Sequence, residues 1–496
     1  MAGLVVAALL GLSLFIVHFS LRARPMPKDH PLNVDDGLPL PELAQSSTVF
    51  SLTGLFGAYL GIAIALGLPA LTGLAFGTVL GLFIVRYWID STLKRADPSG
   101  KKRFETFLFR LLESKGKRNA TAYAFMLAGA QCVYATCELL IFRELAKAAL
   151  GLRPEQATLL AIGVGVMGYF YVLFGGYMAV FRTDVVQLGL VSVMAVVCSA
   201  VLLYHYSWAE WTTRLLPRPG FWEPPFLAPG PWLYPVHFGI AAVMGLGQML
   251  ASPDTWKRVF QVSKKRRRPS TRGVILVCVG TLPYLVLLPI AIAISINTEG
   301  PIRKGVTQAR AVADNSVFAV TALGLVASFL SAFTSALLAS VHIQLMLRRK
   351  RVGDELEEAG FYWRMVAALV TIGILFVGAL YAFNDPSPNR FNNPWLLGNM
   401  LMGVYAAIAG VQAGTRGDIS RLPKNSLPVI FALVISGWLL YFFNSPGFSK
   451  EPTIYSVNTV PMGVGFFFVT ALLSRFFIFG GRKYARNHRD DNQSPS

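Results

Sequence analysis

Asp184 is the residue that most needs a reason. It stands with Arg182 and Thr183 between two apolar runs, 158–180 and 185–204. A carboxylate there is costly unless it has a partner or a task. At a helix start it would also gain from the helix dipole. Asp184 is therefore either a cap of the following helix, with Thr183 as a second cap, or a functional group. A second set of oxygen atoms lies in the run 316–346. Ser328, Ser331, Thr334 and Ser335 recur at steps of three and four, so they share one helix face. Such hydroxyls bond back to the preceding turn unless something else claims them. Gln131, Tyr134 and Glu138 share a face of the run 121–146. Glu138 is either functional or engaged in a salt bridge or an interface. Arg143, Glu144 and Lys147 follow near the outer interface and can pair with one another. His342 reads as a packed residue. The chain has no His-Glu-x-x-His, paired-aspartate or Gly-x-Ser-x-Gly arrangement and no Walker lysine motif. Nothing in it points to an enzyme or to ATP as its energy source.

The elements that must hold these residues are set by a bilayer. Of the 496 residues, 54% are hydrophobic and 14% charged, with a mean hydropathy of +0.52. Soluble domains carry about 25% charged residues. Apolar runs recur from 2–21 to 458–480, each near the ~20 residues that a crossing helix needs. They include 49–67, 70–89, 236–253, 273–295, 363–383, 394–415 and 427–444, and there are thirteen in all. Most of the 45 Lys and Arg fall on alternate connecting segments. The positive-inside rule then puts the N-terminus outside. The net charge of +19, concentrated in Lys264–Arg268 and the other inner segments, suits anionic lipid headgroups and gives no case for nucleic acid. Cys132, Cys137, Cys198 and Cys278 all fall in apolar runs and read as buried small hydrophobes. The expected organisation is a transmembrane helix at 1–21, without the features of a cleaved signal peptide. A first core repeat with a polar lead-in follows at 22–204, and an external Trp/Pro loop at 205–235. Next come a second core repeat at 236–415, two peripheral helices at 416–480 and a cytoplasmic tail at 481–496. Runs two to six and seven to eleven make two five-helix sets of opposite orientation. The first run of each set carries residues that either let helices approach closely or permit a break, Gly54, Gly57, Gly61 and Gly67 in one and Gly245, Gly247 and Pro253 in the other. Paired interruptions of this kind point to the binding site of a transporter.

Three stretches carry a resemblance. YFYVLFGGYMAVFRTDVVQ at 169–187 combines a glycine pair with Thr-Asp and a following Gln. PDTWKRVFQVSKK at 253–265 is an Asp and an Arg at fixed spacing before a basic loop, and SFLSAFTSALLAS at 328–340 is rich in hydroxyls. In this order they resemble the signature stretches of the sodium:solute symporter family, over nearly the whole chain. The resemblance implies an all-α polytopic membrane protein with a five-plus-five inverted-repeat core. It implies sodium as coupling ion, no other cofactor, and residence in the plasma (inner) membrane. By position, sodium ligands fall on the carbonyls of Ser47, Phe50 and Ser328 and on the hydroxyl of Ser331. The family's adjacent second hydroxyl falls on Ala332, so that ligand is missing. A second, more cytoplasmic sodium site falls on Asp184, Ser331, Thr334 and Ser335 and is complete.

The expected function is sodium-coupled import of a small organic solute by alternating access. Ser51, Thr53, Gln131, Tyr134 and Gln248 are the expected solute contacts. The family's sugar branch has a Glu–Gln pair where this chain has Thr53 and Gly54, and its proline branch an Asp where this chain has Val49. Both substrates are disfavoured. The alternatives are a non-transporting sensor or scaffold of the same fold, and a proton-coupled carrier in which Asp184 or Glu138 titrates.

Overall fold

The structure is a computed structural model. It describes residues 56–96, 108, 111–112, 117–149, 152–205, 233–261, 315–348, 358–384, 394–444 and 464–479. Among these residues the regular elements are all helical. They are α1 (Phe56–Ala96), α2 (Lys117–Ala149), α3 (Pro154–His205), α4 (Leu233–Ala251), α5 (Pro253–Gln261), α6 (Asn315–Arg348), α7 (Glu358–Asn384), α8 (Pro394–Thr415), α9 (Ser426–Asn444) and α10 (Val464–Phe479). A 3-10 turn, Ile419–Arg421, separates α8 from α9. Among the described residues, five helices are long and apolar enough to cross a membrane, and the bent pair α4–α5 would make a sixth. The terminal helix at 1–21, the run 273–295, most of the Trp/Pro loop, the tail, and Ser47, Phe50, Ser51 and Thr53 lie outside the described residues.

α6 is the axis of the molecule. Its apolar stretch Phe329–Leu347 is 89% buried, against 22% for Gly360–Leu380 of α7. α2 and α3 pack against α6 on one side, through contacts such as the stacked rings of Phe142 and Phe329 at 4.8 Å. α7 turns Trp363, Ile374 and Val377 outward, where lipid would be. A second pair, α1 and α4, meets backbone to backbone. A Cβ on Gly77 would stand 1.9 Å from the Ala242 carbonyl oxygen, and one on Gly245 2.4 Å from that of Leu74. Small residues let membrane helices approach this closely, which lipid alone would not drive.

Two breaks shape the interior, and one is not where the apolar runs put it. The runs 158–180 and 185–204 are joined in α3, and the break falls at Gly176, with φ 55 and ψ −155. Only glycine takes that conformation without strain. The helix then continues through Arg182–Asp184, and the Thr183 hydroxyl donates back within it to the carbonyls of Ala179 and Val180, each at 3.0 Å. Asp184 is thus interior to a helix, and the capping reading of Asp184 and Thr183 is corrected. The runs 49–67 and 70–89 are likewise joined, over their described part, in α1 with Pro69 inside. A proline removes one backbone donor, and here the helix passes it. α1 is also continuous through Gly57, Gly61 and Gly67, so the interruption expected at those glycines is corrected, and Gly54 lies outside the described residues.

The other break is the expected one. α4 and α5 meet at 72° across Ser252 and Pro253. The Trp256 indole turns back and donates to the carbonyls of Met249 (3.2 Å) and Leu250 (3.0 Å), two of the groups that a helix end leaves unpaired. Ser252 opens α5, accepting from the Thr255 amide at 3.4 Å. Trp88 of α1 meets Trp256 edge-on at 5.2 Å. Its own indole donates to the Gly417 carbonyl at 2.8 Å, just beyond α8.

Candidate functional site

The breaks bring α3, α5 and α6 together around one cluster of buried charge. The Ser331 hydroxyl donates to Asp184 Oδ1 at 2.7 Å. Arg258 donates through Nη2 to Asp184 Oδ2 at 3.1 Å and to Ser335 Oγ at 3.3 Å, and through Nη1 to Asp254 Oδ2 at 2.5 Å. Asp184, Ser331 and Ser335 are fully buried, and Asp254 and Arg258 are nearly so. A guanidinium is well suited to such a place, because its planar fork can serve two carboxylates at once. Taking charges out of water costs several kcal/mol per ion, and the cluster holds only because each charge has close partners.

Its surroundings fix the cluster in place. The Lys257 ammonium lies 3.6 Å from the centroid of the Tyr177 ring, one residue beyond the Gly176 break, and the Arg258 guanidinium 5.3 Å from that of Phe181. Both are cation–π contacts of α5 with α3. Thr183 is also bonded to the Tyr171 hydroxyl.

Of the residues expected at the second sodium site, Asp184, Ser331 and Ser335 are brought together. Thr334 is buried beside them, but its hydroxyl donates to the carbonyls of Leu330 (2.6 Å) and Ser331 (3.3 Å) in its own helix. As oxygen donors beside a carboxylate, the set fits a hard monovalent cation. The sequence by itself gives Arg258 and Asp254 no site role. The acid-then-base spacing of four in PDTWKR, directly after a glycine-rich run, was the available signal.

A second polar group spans α2 and α8. Gln131 donates to the Tyr405 hydroxyl at 3.1 Å. The next residue, Ala406, packs against Gly247 of α4, so that a Cβ on Gly247 would lie 3.1 Å from it. Gln131, Tyr134 and Gln248 are all buried. Further along α2 and α8, Gln412 donates to the Tyr123 hydroxyl at 2.5 Å. Glu138 is buried in α2, as is Arg143, which donates to Thr158 at 2.8 Å.

Neither a protein-family model nor a curated protein matches the sequence. Solved structures do. A Na+-coupled sialic acid symporter, described in a substrate-bound outward-open state, is 14% identical with a TM-score of 0.61, covering 95% of this chain and 98% of that one. Mhp1, a nucleobase-cation-symport-1 family transporter, is 11% identical with a TM-score of 0.52, covering 90% and 97%. A manganese transporter from Eremococcus coleocola, in a mutant form, is 10% identical with a TM-score of 0.54, covering 90% and 100%. The chain has the fold of a secondary transporter. It is an all-α, multi-pass membrane protein, as its apolar runs imply.

Proposed function

We propose that this protein is a sodium-coupled secondary transporter that imports a small organic solute by alternating access. It would reside in the plasma membrane with its N-terminus outside. The observation that carries the reading is the meeting of Asp184 with the hydroxyls of Ser331 and Ser335, all fully buried, where α3 and α5 face α6. A likeness in fold to a Na+-coupled symporter supports it. Sodium takes oxygen ligands, and Asp184, Ser331, Ser335 and Thr334 would hold it. A further sodium position would use carbonyls of Ser47, Phe50 and Ser328 with Ser331, joining the run at 49–67 to α6 and closing the outer path once solute is bound. Solute would lie beside the breaks, against Gln131, Tyr134 and Gln248, with Ser51 and Thr53 from the preceding run. One sodium crossing ~100 mV releases about 2.3 kcal/mol, and a tenfold gradient adds about 1.4. That sum supports accumulation of a neutral solute by several hundredfold.

The test is thermal unfolding of the purified protein in detergent, with NaCl titrated against choline chloride at fixed ionic strength. An ion that binds only the folded protein raises the transition once its concentration passes its dissociation constant. The expected result is a sodium-specific rise that is lost in Ser331→Ala and Asp184→Asn. A transition indifferent to sodium in the unaltered protein would reject sodium coupling.

A further inference from the structure

Arg258 lies where it competes with the ion. Its Nη2 already serves Asp184 Oδ2 and Ser335 Oγ, two of the oxygens that a cation at Asp184 would need. A sodium ion arriving while the guanidinium stays would find one carboxylate oxygen taken. It would also meet a fixed positive charge in a place with little water to screen the repulsion. The guanidinium has somewhere else to go. Asp254 lies four residues before it on α5 and is held through Oδ2 alone, at 2.5 Å, while its buried Oδ1 has no hydrogen-bond partner among the described residues. Releasing Asp184 would let Arg258 close a two-pronged pair with Asp254, the stronger arrangement for a guanidinium and a carboxylate. The exchange needs only side-chain rotation within one turn of α5, which remains tied to α3 by Lys257 over Tyr177.

We propose that Arg258 is a tethered cation that occupies the Asp184 site in place of sodium and must transfer to Asp254 before sodium binds. This deepens the proposed function and rests on its sodium site. In the sodium-free state the guanidinium joins α5 to α3 and α6. In the sodium-bound state that tie is gone, so ion occupancy is transmitted to the short arm of the broken α4–α5 helix. Arg258 thereby sets the sodium concentration at which the protein responds.

The experiment compares sodium-specific thermal stabilisation in the unaltered protein, in Arg258→Gln, and in the double variant Asp254→Asn/Arg258→Gln. Choline again replaces sodium at fixed ionic strength. The double variant removes one charge of each sign and keeps the net charge of the cluster, so it separates occupancy of the site from simple electrostatic attraction. The expected result is that the NaCl concentration giving half the effect falls at least about tenfold in both variants. If it falls only in the single variant, the gain is one of net charge and the competition is overturned. If it falls in neither while the unaltered protein still responds, the inference fails and the sodium site stands. If no protein responds to sodium, both fail together. Should the single variant not fold, the double variant decides alone, with a tighter response supporting the proposal and an unchanged one rejecting it.

Discussion

Ser331 gives Asp184 one hydrogen bond across the α3–α6 seam, and the two residues need not contribute equally. Hydrogen bonds to charged groups contribute about 1.5–3 kcal/mol, so Ser331→Ala should lower the unfolding transition in sodium-free buffer by that order. Arg258 bears more. Removing one partner of a buried charge cluster costs about 3–5 kcal/mol, because the remaining charges are left without compensation. Arg258→Ala should therefore lower the yield of folded protein sharply. Adding Asp184→Asn should recover much of it, since one of the two stranded carboxylates is then neutral. Size-exclusion profiles and thermal midpoints would measure both effects. At this scale the sequence was partly legible. Steps of three and four in the run 316–346 placed Ser331 and Ser335 on one face, and both turn to the same guanidinium and carboxylate cluster. Thr334 obeys the same spacing, but its hydroxyl stays with its own helix. Spacing selects a face and does not decide which oxygen leaves the backbone. The Asp184–Arg258 pair joins residues 74 apart, and no local pattern announces a contact of that range.

Helices carry a different kind of information. α1 and α4 touch through Gly77 and Gly245, with backbone rather than flexible side chains on the far side. Backbone cannot yield, and overpacking of this kind costs about 1–3 kcal/mol or more. Gly77→Ala should therefore destabilise the protein by at least that much. Gly373→Ala on α7, where nothing lies within 4 Å of the added carbon, should stabilise it slightly, through the ~1 kcal/mol helix preference of alanine. The paired thermal midpoints test the contrast. The hinge of the α4–α5 pair was legible, because Pro253 follows a glycine-rich run. The break in α3 was misplaced. Arg182, Thr183 and Asp184 look like the end of a span by polarity, yet the helix continues through them, and the polar atoms of Thr183 and Asp184 have partners. The backbone instead bends six residues earlier than Arg182, at Gly176, the second of two adjacent glycines.

For the molecule as a whole, the bilayer did most of the specifying. Backbone groups in hydrocarbon must be satisfied by other protein groups, within a helix or between the strands of a closed barrel, and apolar runs of about 20 residues suit the helix. The fold matches transporters with which the chain shares only 10–14% of its residues. Identity at that level leaves the architecture readable and the cargo unread. Ile374 of α7 is 67% exposed in the middle of its span. Ile374→Arg should cost about 2.5–3.5 kcal/mol of insertion energy and deplete the protein from isolated membranes, whereas Ile374→Leu should leave its level unchanged. Immunoblots of membrane fractions would check this.

The edge-on pair of Trp88 and Trp256 has a practical consequence. Two indoles 5.2 Å apart couple their electronic transitions, and this coupling depends steeply on distance and mutual angle. One ring belongs to the long helix α1 and the other to the short arm beyond the bend. The protein therefore carries an intrinsic optical goniometer. Any reorientation of that arm would change the near-ultraviolet circular dichroism of the pair, and so record the movement without an attached label.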